Sequence, residues 1–432
     1  MPTVLPLELI DHIVDQQSDD LEFLRTCALI SSDWLYSARC HLFDRLRIRL
    51  HNDERGTRRC ESALQLLTAS PHLAGFFRHV DVAFVPAGWD GDNAAVNEPS
   101  LPQIFERLTH VRVLKFATSS MGGGRRWNTL PPGLVKSLHV LAARSTLRHL
   151  CLSNWRFNLN SDLAHLLDSC AASLRSLHLE RIVQPSAPSP FRASKTHDGV
   201  AFVSMSNLAP PPRAALLART NALAAVSVSG CAGLHRLCQL AAHNIRRVEW
   251  TGDATKIDDI NAFLKMQGND PHNVEIDIET RCLVRMAPAD ASSFLASVDF
   301  NNCSSLRNLS LKYSGHWVPI TQLLGWVVQS IKSINPTHSL LERLEIDVAF
   351  AYACELSVWE GFVTGHLQQL DAALADIHRS APLQSVALTL RPMSKAFSGE
   401  AGETMKEALV GVVRKRMQYM HGYHLLHIGV QC

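Results

Sequence analysis

Along most of the chain, apolar residues recur with two alternating periods. A short stretch of the form Leu-x-x-Leu-x-Leu comes first, then a loop, then a segment with apolar residues at three- and four-residue steps. The clearest short stretches are 147–152, 174–179, 306–311 and 341–346, with looser copies at 77–82, 111–116, 223–228, 245–250, 274–278 and 383–388. Their central and final apolar residues alternate as a strand with one buried face requires. The longer period predicts amphipathic helices over 62–73, 132–143, 162–172, 234–242, 258–266, 321–334, 358–377 and 403–420. The segment from Leu425 to Val430 alternates again and reads as a terminal strand.

One strand and one helix cannot close a core, but stacked copies can, by presenting their strands as one parallel sheet. In the copy at 223–228, Val226 and Val228 are followed by Cys231 and Leu234, which resembles the leucine-rich repeat consensus, where a Cys or Asn ties off the turn. Intervals between strands run from roughly 22 to 49 residues, against roughly 20–29 in a regular array of this kind. The expectation is an α/β fold: an irregular leucine-rich-repeat-like solenoid over 60–432, with a parallel sheet on the concave face and helices on the convex face. A doubly wound α/β sheet also alternates strand and helix and is the competing architecture. The reuse of Leu-Arg-x-Leu in three copies favours the solenoid.

The first 48 residues follow a different pattern. Pro6 suits a first helical position, Glu8 complements the dipole of that first turn, and Leu9, Ile10, Ile13 and Val14 recur at helical spacing. Ser18-Asp19-Asp20 can end this helix and cap a second one carrying Leu21, Leu24, Ala28 and Leu29. Ser31, Ser32 or Asp33 can cap a third containing Trp34, Leu35 and Ala38. A unit below about 40 residues rarely folds unaided, so these helices should dock on the rest of the chain or on a second protein.

The start Leu5, Pro6, Glu8, Leu9, Ile13 and the end Ile30, Ser31, Trp34, Leu42, Phe43 together resemble an F-box, over 1–48. Ser32 departs from the pattern, because the family places a basic residue there. With the repeats that follow, the chain looks like the F-box proteins of basidiomycete, mushroom-forming fungi. The resemblance implies a substrate-receptor subunit of a Skp/cullin/F-box ubiquitin ligase. Its helices would dock on a Skp-type adaptor, and through it on a cullin scaffold, while the solenoid binds a protein client. It assigns the adaptor side to Leu5, Pro6, Leu9, Ile13, Leu24 and Trp34, although Leu9 and Ile13 share a helix face and some of these residues must hold the helices together. The alternative is a leucine-rich-repeat interaction or scaffold protein acting outside ubiquitin ligation.

For the client side, Arg148, Arg175, Arg307 and Arg343 are candidates, read as one repeated slot that would form a basic ladder on the concave face. A stretch over 184–213 is rich in Pro and Ser, includes Pro210-Pro211-Pro212, and reads as an insertion projecting from the repeats.

Composition narrows the remaining classes. The chain has 432 residues, 46% hydrophobic and 19% charged, enough for a large core. A formal net charge of +2 makes no case for nucleic acid or an anionic membrane as partner. With no apolar run of about 18 residues and no signal-peptide pattern, the expected location is the cytoplasm, the nucleus or both. The eleven cysteines form no Cys-x-x-Cys pair and read as reduced core thiols. The sequons at Asn302 and Asn308 carry no weight without a secretion signal.

Catalytic patterns are lacking: there is no Gly-x-Ser-x-Gly, no His-Glu-x-x-His, and no Gly-Lys-Ser/Thr after Gly122-Gly123-Gly124. His421, His424 and His427 would not share a face on a strand. No enzyme activity, metal or cofactor is therefore expected.

Overall fold

The computed structural model describes residues 5–51, 54–85, 98–118, 125–157, 160–170, 174–182, 225–229, 246–253, 257–266, 271–279, 297–315, 320–336, 339–350, 356–392 and 400–430. The chain forms two compact units, Met1–Ala222 and Leu223–Cys432, dividing just past the Pro/Ser-rich stretch, which lies outside the described residues. So do Gly122-Gly123-Gly124, Cys231, Leu234 and the helix expected over 234–242.

The first unit opens with α1 (Leu7–Gln16), α2 (Leu21–Ile30) and α3 (Ser32–Leu42). Pro6 is the N-cap of α1, not its first helical residue, and its carbonyl accepts from the N–H groups of Leu9 and Ile10 at 3.0 and 3.2 Å. The Asp20 carboxylate caps α2, accepting from the Glu22 and Phe23 amides at 3.0 Å. Ile10 and Val14 of α1, Leu24 and Cys27 of α2 and Ala38 of α3 form the shared core, with Phe23, Ala28, Trp34 and Leu42 packed around it. Ser37 donates to Asp11, and His41 Nε2 lies 2.7 Å from Asp15 Oδ1, so two polar contacts also hold α3 to α1.

These helices run directly into a sheet. Its first strand, β1 (Arg45–His51), starts ahead of position 60, where the sequence places the start of the repeats. It pairs in parallel with β2 (His79–Val85), and β3 (Val113–Thr118), β5 (His149–Ser153) and β7 (Ser176–Glu180) follow in chain order. Two short strands, β4 (Arg125–Arg126) and β6 (Trp155–Arg156), pair separately. In β2 every second side chain is buried: Val80, Val82 and Phe84. The helices α4 (Glu54–Ala69), α5 (Ser100–Arg107), α6 (Pro132–Ala142) and α7 (Asn160–Ser169) pack each on the next.

Aromatic rings fill the space beneath the strands. Trp155 stacks on Phe116 with centroids 5.0 Å apart, and its indole N–H donates to the Phe116 carbonyl at 2.9 Å. The edges of Tyr36 and Phe43 against Phe76 and Phe77 tie α3 to the first repeat.

The second unit repeats the plan. Strands β8 (Ala225–Ser229), β9 (Arg247–Asp253), β10 (Asn273–Glu279), β11 (Asn308–Gly315), β12 (Arg343–Phe350), β13 (Ser385–Pro392) and β14 (Leu426–Val430) pair in parallel, in chain order. Between them lie α8 (Ile257–Met266), α9 (Ile320–Lys332), α10 (Leu356–Ser380), α11 (Glu400–Arg416) and the short α12 (Gln418–Gly422). Asp258 and Asp259 fall within the first turn of α8, where negative charge complements the helix dipole. The single helix expected over 403–420 breaks at Met417, and the buried Asp371 carboxylate of α10 caps α12 through the Tyr419 and Met420 amides. The three histidines at the end separate accordingly: His421 in α12, His424 in a turn with φ 57°, and His427 in β14.

At Gly252 any Cβ would lie 2.4 Å from the buried Trp250 ring, so only glycine fits beneath that indole. A doubly wound sheet would reverse its strand order at a switch point. Within each unit the order follows the chain, and the architecture is a parallel α/β solenoid.

Candidate docking surfaces

The N-terminal helices present an apolar surface away from their own core. On α1 the apolar stripe splits into two halves. Ile10 and Val14 face inward, whereas Leu9 is 49% exposed and Ile13 36%. Leu5, which precedes the helix, is also exposed. Of the six residues the sequence assigned to an adaptor, Leu5, Pro6, Leu9 and Ile13 are at the surface, and Trp34 is half-buried against the helical core. Leu24 is a correction: at 0% exposed it belongs to that core, because the inward face of α2 carries Leu24 and Cys27.

Other apolar residues of these helices that the resemblance did not assign to an adaptor, Leu7, Leu21, Leu29, Ile30 and Tyr36, are also exposed, Leu29 at 87%. Their signal was present, since α2 carries more apolar residues than one buried face of a ten-residue helix can use. Among the described residues, eight of the twelve exposed large apolar side chains lie between Leu5 and Tyr36, which sets this segment apart from the rest of the surface.

The open face of each sheet, opposite the helices, carries charge of its own. In the first unit, Arg45, Arg47 and Arg49 alternate with the inward Ile48 and Leu50 along β1 and are exposed. Just before each following strand comes an arginine, and these stack in one column through the backbone. The Arg78 amide donates to the Asp44 carbonyl, Arg112 to Arg78, Arg148 to Arg112 and Arg175 to Arg148, at 2.7–2.9 Å. Arg148 and Arg175 thus share a slot, as the sequence predicts. Arg78 and Arg112 belong to the same column and were missed, although Phe77-Arg78-His79-Val80 and Val111-Arg112-Val113-Leu114 repeat the pattern. Burial first, then the charges of His79, Arg175 and Arg148, hold the His149 pKa below its ordinary value.

The second unit differs. The Arg307 and Arg343 positions do not share a slot: Arg343 pairs in register with Asn308, and Glu342 occupies the slot next to Arg307. The ladder expected of Arg148, Arg175, Arg307 and Arg343 is therefore corrected to a column confined to the first unit. In the second unit four cations at the sheet have carboxylate partners. Arg307 lies 3.3 Å from Glu342, Arg391 2.7 Å from Asp347, Arg247 2.6 Å from Glu249, and Lys312 at Glu275. That hydrogen bond to Glu275 is the main reason the Lys312 pKa is raised.

Buried thiols complete the picture. Burial pushes Cys60 and Cys170 up to about 12, so they stay protonated and serve as small apolar core residues. Among the described residues, no helix is long and apolar enough to cross a membrane.

No protein-family model matches the chain, and no curated protein matches it. Among solved structures it is similar to the crystal structure of the Rad7 and Elc1 complex in yeast. The identity is 13%, the match covers 92% of this chain and 90% of that one, and the TM-score is 0.34.

Proposed function

We propose that this chain is the substrate-receptor subunit of a Skp/cullin/F-box ubiquitin ligase. The observation that supports the reading is the apolar surface on α1, α2 and α3. A three-helix segment whose own core is five small and medium side chains leaves Leu5, Leu9, Ile13 and Leu29 in water. Such a patch is costly unless a partner covers it. Its place, on helices that carry the F-box-like residues, fits a Skp-type adaptor as that partner.

In this reading Leu9 and Ile13 enter the adaptor interface. Pro6 sets the entry of α1, and Trp34 braces α3 against α1 and α2. The adaptor bridges to a cullin, and the solenoid holds a protein client for transfer of ubiquitin by other subunits. The chain does no chemistry of its own and works in the cytoplasm, the nucleus or both.

Co-purification with a Skp-type adaptor tests this, comparing the wild-type chain with the double variant Leu9→Asp, Ile13→Asp. Both positions are exposed, so the variant should keep its circular dichroism spectrum while losing the adaptor. Equal recovery of adaptor by both chains would reject the interface, and a folded wild-type chain that captures none would leave the scaffold reading.

A further inference from the structure

The arginine column of the first unit has a definite length. Neighbouring strands lie about 4.8 Å apart, so Arg78, Arg112, Arg148 and Arg175 span about 14 Å. Along an extended peptide, side chains on one face recur about every 6.6 Å, and three alternate residues span about 13 Å. The spans are similar, so three alternate carboxylates cover the length of four arginines without a one-to-one register. Beside the column, Arg45, Arg47, Arg49 and Lys115 add positive charge at open-face positions, against Asp81, Glu180 and Asp44, which holds the slot beside Arg78 and contacts His79. The open face of the second unit carries Glu249, Glu275, Asp277, Glu345 and Asp347, and has no comparable excess of cations.

We propose that the first unit binds an extended acidic segment of a protein along the strand-entry edge of its open sheet face, with carboxylates at alternate positions meeting the arginine column that runs there. The inference rests on the receptor reading only in calling that protein a client. Two observations favour a peptide over a nucleic acid. Single-stranded nucleic acid is held by stacking on aromatic rings as well as by charge, and the open-face positions of β1, β2, β3, β5 and β7 carry no Phe, Tyr or Trp. Asp81 and Glu180 would also repel a continuous phosphate backbone, while a segment with spaced carboxylates can avoid them. Fixed positive charge in a row raises the encounter rate with such a segment and weakens its binding as salt rises.

The test uses the full-length chain and fluorescence anisotropy. The probe is a labelled peptide of about twelve residues alternating Glu and Gly, with a Gln-for-Glu peptide and an oligouridylate of similar length as comparisons. The expected result is binding of the Glu peptide alone, falling about tenfold or more in the variant Arg112→Glu, Arg175→Glu. Adaptor capture should be unchanged in that variant. Both arginines are exposed. Should the charge reversal unfold the chain, Arg112→Gln, Arg175→Gln gives the same comparison with smaller perturbation.

Equal binding by wild type and variants would overturn the proposal. So would tighter binding of oligouridylate than of the Glu peptide, or a column that drives self-association of the chain and takes up no peptide. The variant Leu9→Asp, Ile13→Asp separates the two readings. Loss of adaptor with retained peptide supports both, and peptide binding by a wild-type chain that captures no adaptor would sink the receptor reading alone.

Discussion

At the residue scale, the apolar positions of α1 show how much depends on a rotation of about 100° between neighbours. Leu9, Ile10, Ile13 and Val14 form one broad stripe in sequence, and the structure turns Ile10 and Val14 into the core and leaves Leu9 and Ile13 outside. Sequence identifies the stripe but cannot divide it, because the division is set by where α2 and α3 cross it. Leu24 was misplaced for the same reason. The consequence is measurable by urea unfolding. Leu24→Ala should destabilise the chain by about 2–5 kcal/mol, the range for an emptied core site, whereas Ile13→Ala should change stability by less than about 1 kcal/mol. A large loss from Ile13→Ala would mean that its face packs within the chain.

At the scale of elements, the four clear Leu-x-x-Leu-x-Leu copies mark strands, but each of these strands starts two residues later than its pattern. Leu147, Leu306 and Leu341 are buried in the turn that enters the sheet, ahead of the first ladder bond, so the pattern reports burial before it reports pairing. β1 was missed although Arg45-Leu46-Arg47-Ile48-Arg49-Leu50 alternates cleanly, because its cations and its closeness to α3 read as the tail of the helical segment.

Helix contacts carry a pH signal that sequence does not show. His139 of α6 lies 2.7 Å from Ser169 of α7, and burial, followed by the charge of His165, lowers its pKa. Unfolded, the group titrates near the ordinary 6.5 and takes up a proton that the folded state resists. Its contribution to stability is therefore complete above that pH and declines as pH falls through 6.5 toward the lower folded value. The urea midpoint should fall below pH 6.5, and less steeply in His139→Asn. An identical slope in that variant would remove the histidine from the explanation.

At the scale of the whole molecule, a net charge of +2 conceals a division. The open face of the first unit gathers arginines, while that of the second gathers carboxylates and pairs several of its cations with them. Whole-chain charge makes no case for nucleic acid or an anionic membrane, yet the arrangement gives one face a clear electrostatic preference. Sequence reasoning found half of the arginine column through the repeated Leu-Arg pair. It added Arg307 and Arg343, because one shifted residue, Glu342 for Arg, is invisible until strand register is known. The apolar docking surface was legible in part, through the residues of the F-box-like start. Its extension onto Leu21, Leu29 and Tyr36 required knowing which sides of α2 and α3 stay uncovered.

The central claim is that this uncovered apolar surface is an adaptor interface, and calorimetric titration of a purified Skp-type adaptor into the full-length chain addresses it at several temperatures. The expected result is a one-to-one complex whose binding enthalpy becomes more favourable on warming, the negative heat-capacity change of apolar burial. It should be absent in Leu9→Asp, Ile13→Asp. No binding by the folded wild-type chain, or binding that survives both aspartates, would contradict it.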